Sequence, residues 1–514
     1  MALILFYPLF LLLLLSFSLS LLFSKSRFKS KLNPSTYYPP SLKPYPLVGH
    51  LPQFLGNRRR MADWLAETLA AAPTNTVTFH RPGGVRGVIT ANPANVEHIL
   101  RACFDNYPKG ARSSALLHDF LGRGIFNSDG DAWRAQRKTA SFEFNTRSLR
   151  SFVVRCVRRE VAARLIPLLD DAADRGRVVD LQDVLERFAF DNVCQVSFGH
   201  DPAYLDVANP DSATCSFAEA FRDAADLSAG RFRYAVPRLW RIKKLLGVGS
   251  ERRLGESVAA VHAFALEIIR SREKEGRLAG ADDLLSRFVA NEERYSEEFL
   301  RDIVISFLLA GRETTSSALS WFFWVLSSRP DVERRILDEL RSVGGGGGGW
   351  GGELLGFEEL REMQYLHAAL TEAMRLYPPV PVNSTEAKED DVLPDGTVVR
   401  KGWFVSYNAY AMGRMEAVWG EDCREYRPER WLDGEGAFRA ESPYKYPVFH
   451  AGPRMCLGKE MAYIQMKSVA ACVVGRYVFD VVDGSCPEKV LSLTLRMKDG
   501  LPVRVRRRCN DGSS

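Results

Sequence analysis

From Ala2 to Phe23 the chain carries 22 residues without a charge, rich in Leu and Phe. As a helix rising about 1.5 Å per residue, the stretch spans roughly 33 Å, enough to cross a bilayer core. Lys25, Arg27, Lys29 and Lys31 follow at once and nothing basic precedes them. The positive-inside rule therefore places the main domain on the cytosolic side. A cleaved secretory signal would have a shorter apolar run behind a positive start, so the pattern predicts a retained anchor over 2–23. Pro34, Pro39, Pro40, Pro44 and Pro46 predict a stiff, extended hinge over 24–49.

Beyond the hinge, helical periodicity dominates. Residues 150–290 are mostly helical, with basic faces such as Arg155, Arg158 and Arg159 turned to solvent. A helix of about 48 Å is expected from the cap Ser296 to Ser328, followed by helices over 331–342, 359–376 and 459–474. Strand-like alternation is confined to a hairpin over 75–90 around Pro82-Gly83-Gly84, and to a strand pair around Lys498-Asp499-Gly500. Residues 105–129 look irregular, a loop over a pocket, and 217–239 is rich in Phe, Tyr and Ala. The pattern predicts a mainly α fold with a small β region (α+β). It forms one large domain over 50–508, with a tail over 509–514.

Composition narrows the reading. Apolar residues make up 46% and charged residues 26%, an ordinary globular balance. A net charge of +6 is mild and dispersed, which excludes nucleic acid as a partner and fits an anionic membrane face or an acidic redox partner. Nine cysteines are scattered with no Cys-x-x-Cys pair, as expected of reduced thiols facing the cytosol. Six glycines, 344–349, make a flexible loop that lacks the Lys-Ser/Thr ending of a phosphate site.

The chemistry concentrates in Phe449-His450-Ala451-Gly452-Pro453-Arg454-Met455-Cys456-Leu457-Gly458. A cysteine just before a helix feels the positive end of its dipole, which favours the thiolate. Gly452 and Gly458 remove side chains where a flat macrocycle would approach, and Arg454 could reach a carboxylate on it. These features describe a thiolate ligand to haem iron. The string resembles the haem-ligand loop of the cytochrome P-450 superfamily, Phe-x-x-Gly-x-Arg-x-Cys-x-Gly, with every fixed position filled.

Other motifs agree. Trp133 and Arg137, four apart on one helical face, match the superfamily's Trp-x-x-x-Arg, which serves a haem propionate. Ala310-Gly311-Arg312-Glu313-Thr314-Thr315, midway along the long helix, matches its acid–threonine pair for proton delivery. Glu372, Arg375 and Arg430 match the Glu-x-x-Arg and Pro-x-Arg motifs, with Trp431 where Phe is common. The resemblance implies a cytochrome P-450 fold behind the single anchor, holding haem b. Cys456 would be the iron ligand, with Arg454, Trp133, Arg137, Phe449 and Ala310 around the cofactor. It implies activation of O2, with proton transfer near Thr314 and Glu313.

Val380-Pro381-Val382-Asn383-Ser384 should pass above the haem. No Rossmann fingerprint is present, so electrons would come from a separate membrane-bound NADPH-dependent reductase, with the protein in the endoplasmic reticulum membrane. The motifs look most like the plant fatty-acid terminal (ω) hydroxylases, acting on a lipophilic small molecule. Alternatives are oxidation of jasmonoyl–amino acid conjugates or of a steroidal side chain. A haem-thiolate isomerase or dehydratase would usually lack the Glu313-Thr314 pair.

Overall fold

Ser296 opens the central helix, its Oγ accepting the Phe299 amide at 3.2 Å, with Glu297 and Glu298 in the first turn. Glu297–Leu308, Leu309–Glu313 and Thr314–Leu326 run on continuously, and the middle five residues are wound as a π-helix. Gly311 lies in that segment because a Cβ there would stand 2.4 Å from the Val193 side chain. The helix Leu181–Phe198 thus crosses the central helix at close range.

The computed structural model describes residue 39 and residues 42–508, except 145–146, 207–211, 235–237, 276–282, 291–294, 345–353, 483 and 485. The expected anchor 2–23, the basic part of the hinge, most of the glycine run and the tail lie outside them. Among the described residues no helix is long and apolar enough to cross a membrane.

The central helix divides two apolar clusters. Leu319, Trp321 and Phe322 pack with Leu366 and Leu370 of Gln364–Leu376 and Val469 of Lys459–Arg476. Ile305 and Leu308 pack with Phe190, Phe217, Phe221 and Ile268. Each such side chain stabilises the fold by about 1.5–3 kcal/mol through burial. The small β region has Thr76–Arg81 and Val85–Thr90 as an antiparallel hairpin. Its second strand runs parallel to Phe404–Asn408, which pairs antiparallel with Val382–Glu386. The mainly α expectation with a small β region is what the chain adopts.

Several local expectations are corrected. Residues 105–129 contain a helix, Ala111–Leu121, set between Gly110 (φ 82°) and Gly122 (φ 51°). Its Leu116, Phe120 and Leu121 are buried, a periodicity that the interspersed Arg112, His118 and Asp119 obscure. The expected helix 359–376 is two, Phe357–Glu362 and Gln364–Leu376, broken at Met363. Glu339, from another helix, accepts the Tyr365 and Leu366 amides at 2.6 and 2.9 Å and so caps the second.

The tail strands do not pair with each other. Leu495–Met497 pairs back to Lys489–Leu491, while Pro502–Arg507 joins Val178–Asp180 and Tyr477–Val481. Asp180 draws them apart by accepting the Leu501 amide at 2.8 Å. The end of the hinge is not extended, because Tyr45 and Gly49 exchange backbone hydrogen bonds around a tight turn.

Glu372 and Arg375 have no exposure at all. Arg375 Nε and Nη2 donate to the two Glu372 oxygens at 2.7 Å each, and its remaining N–H groups reach the carbonyls of Gly413, Cys423 and Glu425. Arg430 donates to Glu372 from 3.4 Å, and Trp431 Nε1 donates to it at 2.8 Å. Trp431 therefore supplies a bond that the common Phe could not. Glu372→Ala should lower unfolding free energy by about 3–5 kcal/mol, because it leaves Arg375 charged and buried. The midpoint of denaturant unfolding measures it, and an unchanged midpoint would refute the role.

Candidate active site

The cysteine loop is built from two short turns, Pro447–Phe449 and Gly452–Arg454, closed by the Cys456 amide donating to the Phe449 carbonyl at 2.8 Å. Gly452 has φ +63°, and a Cβ there would stand 2.0 Å from the Leu100 carbonyl oxygen. The helix Lys459–Arg476 starts three residues after Cys456. Burial pushes the Cys456 thiol up, while the Gly458 amide, Arg137 and Lys459 pull it back. The Cys456 side chain is exposed into the cavity, so a metal could reach its sulfur from that side, and iron there would hold the thiolate.

Cys456 lines a cavity of about 1080 Å³. Among the described cysteines it alone does so. Trp133, Arg137, Ala310, Thr314, Phe449 and Arg454 share the lining, so seven of the eight sequence-predicted residues meet there. Trp133 and Arg137 come from Gly130–Phe144, Ala310 from the π segment and Thr314 from the turn after it. Pro381, Val382 and Ser384 also line it, as expected for the stretch after Gln364–Leu376. Of the 217–239 segment, Ala229, Phe232 and Arg233 reach the cavity, whereas Phe217 and Phe221 are core.

The floor is electrostatically lopsided. Arg454 donates to Asp129 at 2.6 Å, and its guanidinium lies 4.3 Å from the Trp133 ring centroid. Burial brings the Arg454 pKa down to about 10, and repulsion from Arg137 adds to it. Lys109 is pushed down to about 8 by burial and then by Arg454, with Asp129 opposing. Arg137 donates to the Met455 carbonyl. Three cations thus crowd one acid beside the sulfur, and the two propionates of a haem would answer the excess. The donor set fits the group.

Lys109 and Asp129 are residues that sequence reasoning missed. Asp129 also accepts the Lys109 and Gly110 amides at 2.9 and 3.0 Å, tying the segment before Ala111 to the Trp133 helix. An Asp just before a helix reads locally as a cap, and Lys109 carries no local signal.

Glu313 is the residue that does not join the lining. It is buried, accepts from Arg312 at 2.7 Å, and Arg312 also donates to Glu186 at 3.1 Å. Burial raises the Glu313 carboxyl, with Arg312 opposing. Its other oxygen accepts from Thr494 Oγ1 at 3.4 Å, and Thr494 does line the cavity. Thr314 Oγ1 donates to the Ala310 carbonyl at 2.6 Å across the π segment.

The family model described as cytochrome P450 matches residues 39–503. The chain belongs to the cytochrome P450 family. It is 54% identical over 459 residues to cytochrome P450 CYP94D108 of Paris polyphylla, covering 89% of this chain and 90% of that one. Cytochrome P450 94B1 of Arabidopsis thaliana is 48% identical over 487 residues, 93% of each chain. Cytochrome P450 94A1 of Vicia sativa is 45% identical over 476 residues, 91% of this chain and 90% of its own. The protein is a P450 monooxygenase of the CYP94 type, and the family holds haem through a cysteine thiolate and draws electrons from a redox partner.

Cys456→Ala should remove the thiolate-type spectrum of the reduced, carbon-monoxide-bound P450. A variant that kept that spectrum would move the ligand to another residue.

Proposed function

We propose that this P450 hydroxylates the terminal (ω) carbon of a lipophilic chain, foremost a long-chain fatty acid. A C–H bond, O2, two electrons and two protons become C–OH and water, the electrons coming from a membrane-bound NADPH-dependent reductase. The cavity carries the reading, because apolar side chains such as Phe54, Leu55, Phe79, Leu117 and Phe307 line it together with Cys456. An alkyl chain gains about 0.8 kcal/mol per CH2 buried against such walls. Bound haem, held by Cys456, supplies the activation of O2.

The chain's own residues handle the protons and the water. Thr314 presents a hydroxyl on the cavity wall, with its hydrogen parked on the Ala310 carbonyl. Glu313, one hydrogen bond behind Thr494, is the acid that replenishes protons. These groups give protons a route to the cavity wall that Cys456 shares.

The same reading puts the protein in the endoplasmic reticulum membrane through the anchor 2–23. The helix Leu239–Leu246 supports it, with Leu245 86% and Leu246 65% exposed next to Lys243 and Lys244. An apolar face with basic neighbours suits the surface of an anionic leaflet.

Incubating the membrane-bound holoenzyme with reductase, NADPH and long-chain fatty acids should yield terminally hydroxylated acids. Absence of oxidised product, with an intact carbon-monoxide spectrum, would redirect the search to jasmonoyl–amino acid conjugates and steroidal side chains. Thr314→Ala should lower product formed per NADPH by roughly tenfold or more, since proton delivery is its task. Unchanged coupling would remove Thr314 from the mechanism.

A further inference from the structure

Outside the cavity, three metal-binding side chains of different chemistry converge. His98, Cys103 and Asp391 each bring a ligand atom to within 4.8 Å of the other two. Among the described residues no other group of three such side chains gathers this closely. None of the three lines the cavity that Cys456 shares. The backbone explains how two of them meet. His98–Ala102 is wound as a π-helix, closed by the Cys103 amide donating to the His98 carbonyl at 2.8 Å. In an α-helix, residues five apart point about 140° away from each other. The wider π turn, with its i→i+5 hydrogen bond, brings them to nearly the same side. Asp391 arrives from the short strand Asp391–Val392, which pairs antiparallel with Val398–Val399.

The carboxylate is held in place by its neighbours. Asp391 Oδ2 accepts from the Tyr107 hydroxyl at 2.6 Å and lies 2.8 Å from His98 Nε2, and Oδ1 accepts the Val392 amide at 2.7 Å. Outer partners of this kind orient the ligands of metal sites. An imidazole, a phenol and a carboxylate would also be satisfied as a plain hydrogen-bonded cluster. What such a cluster leaves unexplained is the sulfur. The His98 and Asp391 side chains are 18% and 19% exposed, and Cys103 is also partly exposed, so an ion has a way in. One sulfur, one nitrogen and one oxygen suit zinc or cadmium, whereas magnesium and calcium favour oxygen alone. With bonds of about 2.0–2.3 Å, a tetrahedral zinc ion sets its ligand atoms roughly 3.3–3.8 Å apart. His98 Nε2 and Asp391 Oδ2 would part by roughly half an ångström, and the sulfur would close in by about one at most. Burial, then Asp391, pushes the Cys103 thiol up, so binding displaces its proton to solvent. A water completes the four ligands.

We propose that His98, Cys103 and Asp391 form a binding site for one zinc-type divalent cation, separate from the haem pocket. The site stands whatever substrate the enzyme oxidises. A bound ion fastens the π-helix His98–Ala102 to the strand that carries Asp391. In that same helix the Leu100 carbonyl oxygen stands where a Cβ on Gly452 would meet it. The ion therefore braces backbone against which the cysteine loop is packed.

The test uses the haem-loaded full chain, in which Cys456 is engaged, with zinc chloride and cadmium chloride as probes and magnesium chloride as the control. Calorimetry gives stoichiometry and dissociation constants, and cadmium adds an ultraviolet sulfur-to-metal band. The wild type should bind one equivalent of zinc, unfold at a higher temperature with zinc present, and ignore magnesium. Cys103→Ser and His98→Gln should each weaken zinc binding by about tenfold or more, the least that losing a ligand costs. Cys103→Ser should also diminish the cadmium band, and both variants should keep the carbon-monoxide spectrum, which shows that they fold. Zinc affinity equal in the wild type and Cys103→Ser overturns the site, because the ion then sits elsewhere. Absence of zinc uptake by the wild type at about 1 mM overturns it as well, and so does magnesium binding on a par with zinc. The wild-type titration needs no variant, so a variant that fails to fold does not stop the test.

Discussion

A carboxylate and a guanidinium with no access to water must satisfy each other and every spare hydrogen-bonding site inside the protein. Glu372 and Arg375 do so only when Gln364–Leu376 faces the carbonyls of Gly413, Cys423 and Glu425 and the indole of Trp431. Net stability from such a pair is small compared with apolar packing, but any arrangement that opens it strands a charge. One turn along, Thr371 extends the hold. Its hydroxyl meets Tyr463 at 2.8 Å and its carbonyl accepts from Tyr446 at 3.1 Å. Tyr463 lies in the helix after the cysteine loop, and its ring sits 5.4 Å from that of Phe449. The position of Cys456 is thus referred back to a buried ion pair on a neighbouring helix.

Charge and apolar surface are segregated around the cavity. Lys109, Arg137 and Arg454 gather beside the sulfur with Asp129 as their one acid. The lining shared with them includes Phe79, Leu117 and Phe307. A macrocycle with two carboxylates suits the first group, and an alkyl chain suits the apolar walls. The π segment brings Ala310, Gly311 and Thr314 to the same wall while Arg312 and Glu313 turn into the protein. One short stretch of helix thereby separates a hydroxyl facing substrate from an acid held in a buried charge network.

Motifs whose members sit within one loop or one helical face were legible before any fold was known. The loop around Cys456, the four-residue spacing of Trp133 and Arg137, the Glu372–Arg375 pair and the cap at Ser296 are local chemistry, and local geometry fulfils them. The helix 111–121 was hidden because polar residues interrupt its apolar face. The break at Met363 was hidden because its cause, Glu339, is a residue on another helix. The tail strands went astray because Asp180, far away in sequence, turns the chain at Leu501.

The residues alone established the family, the mainly helical class and seven side chains that line one cavity, since these follow from short spacings and from the identity of the side chains. Folding is what sets Glu313 behind Thr494 and brings Asp129 and Lys109 beside Arg454. Those are relations between distant segments. A charged residue announces its charge in the sequence, but whether that charge is answered depends on what the fold brings within about 4 Å of it.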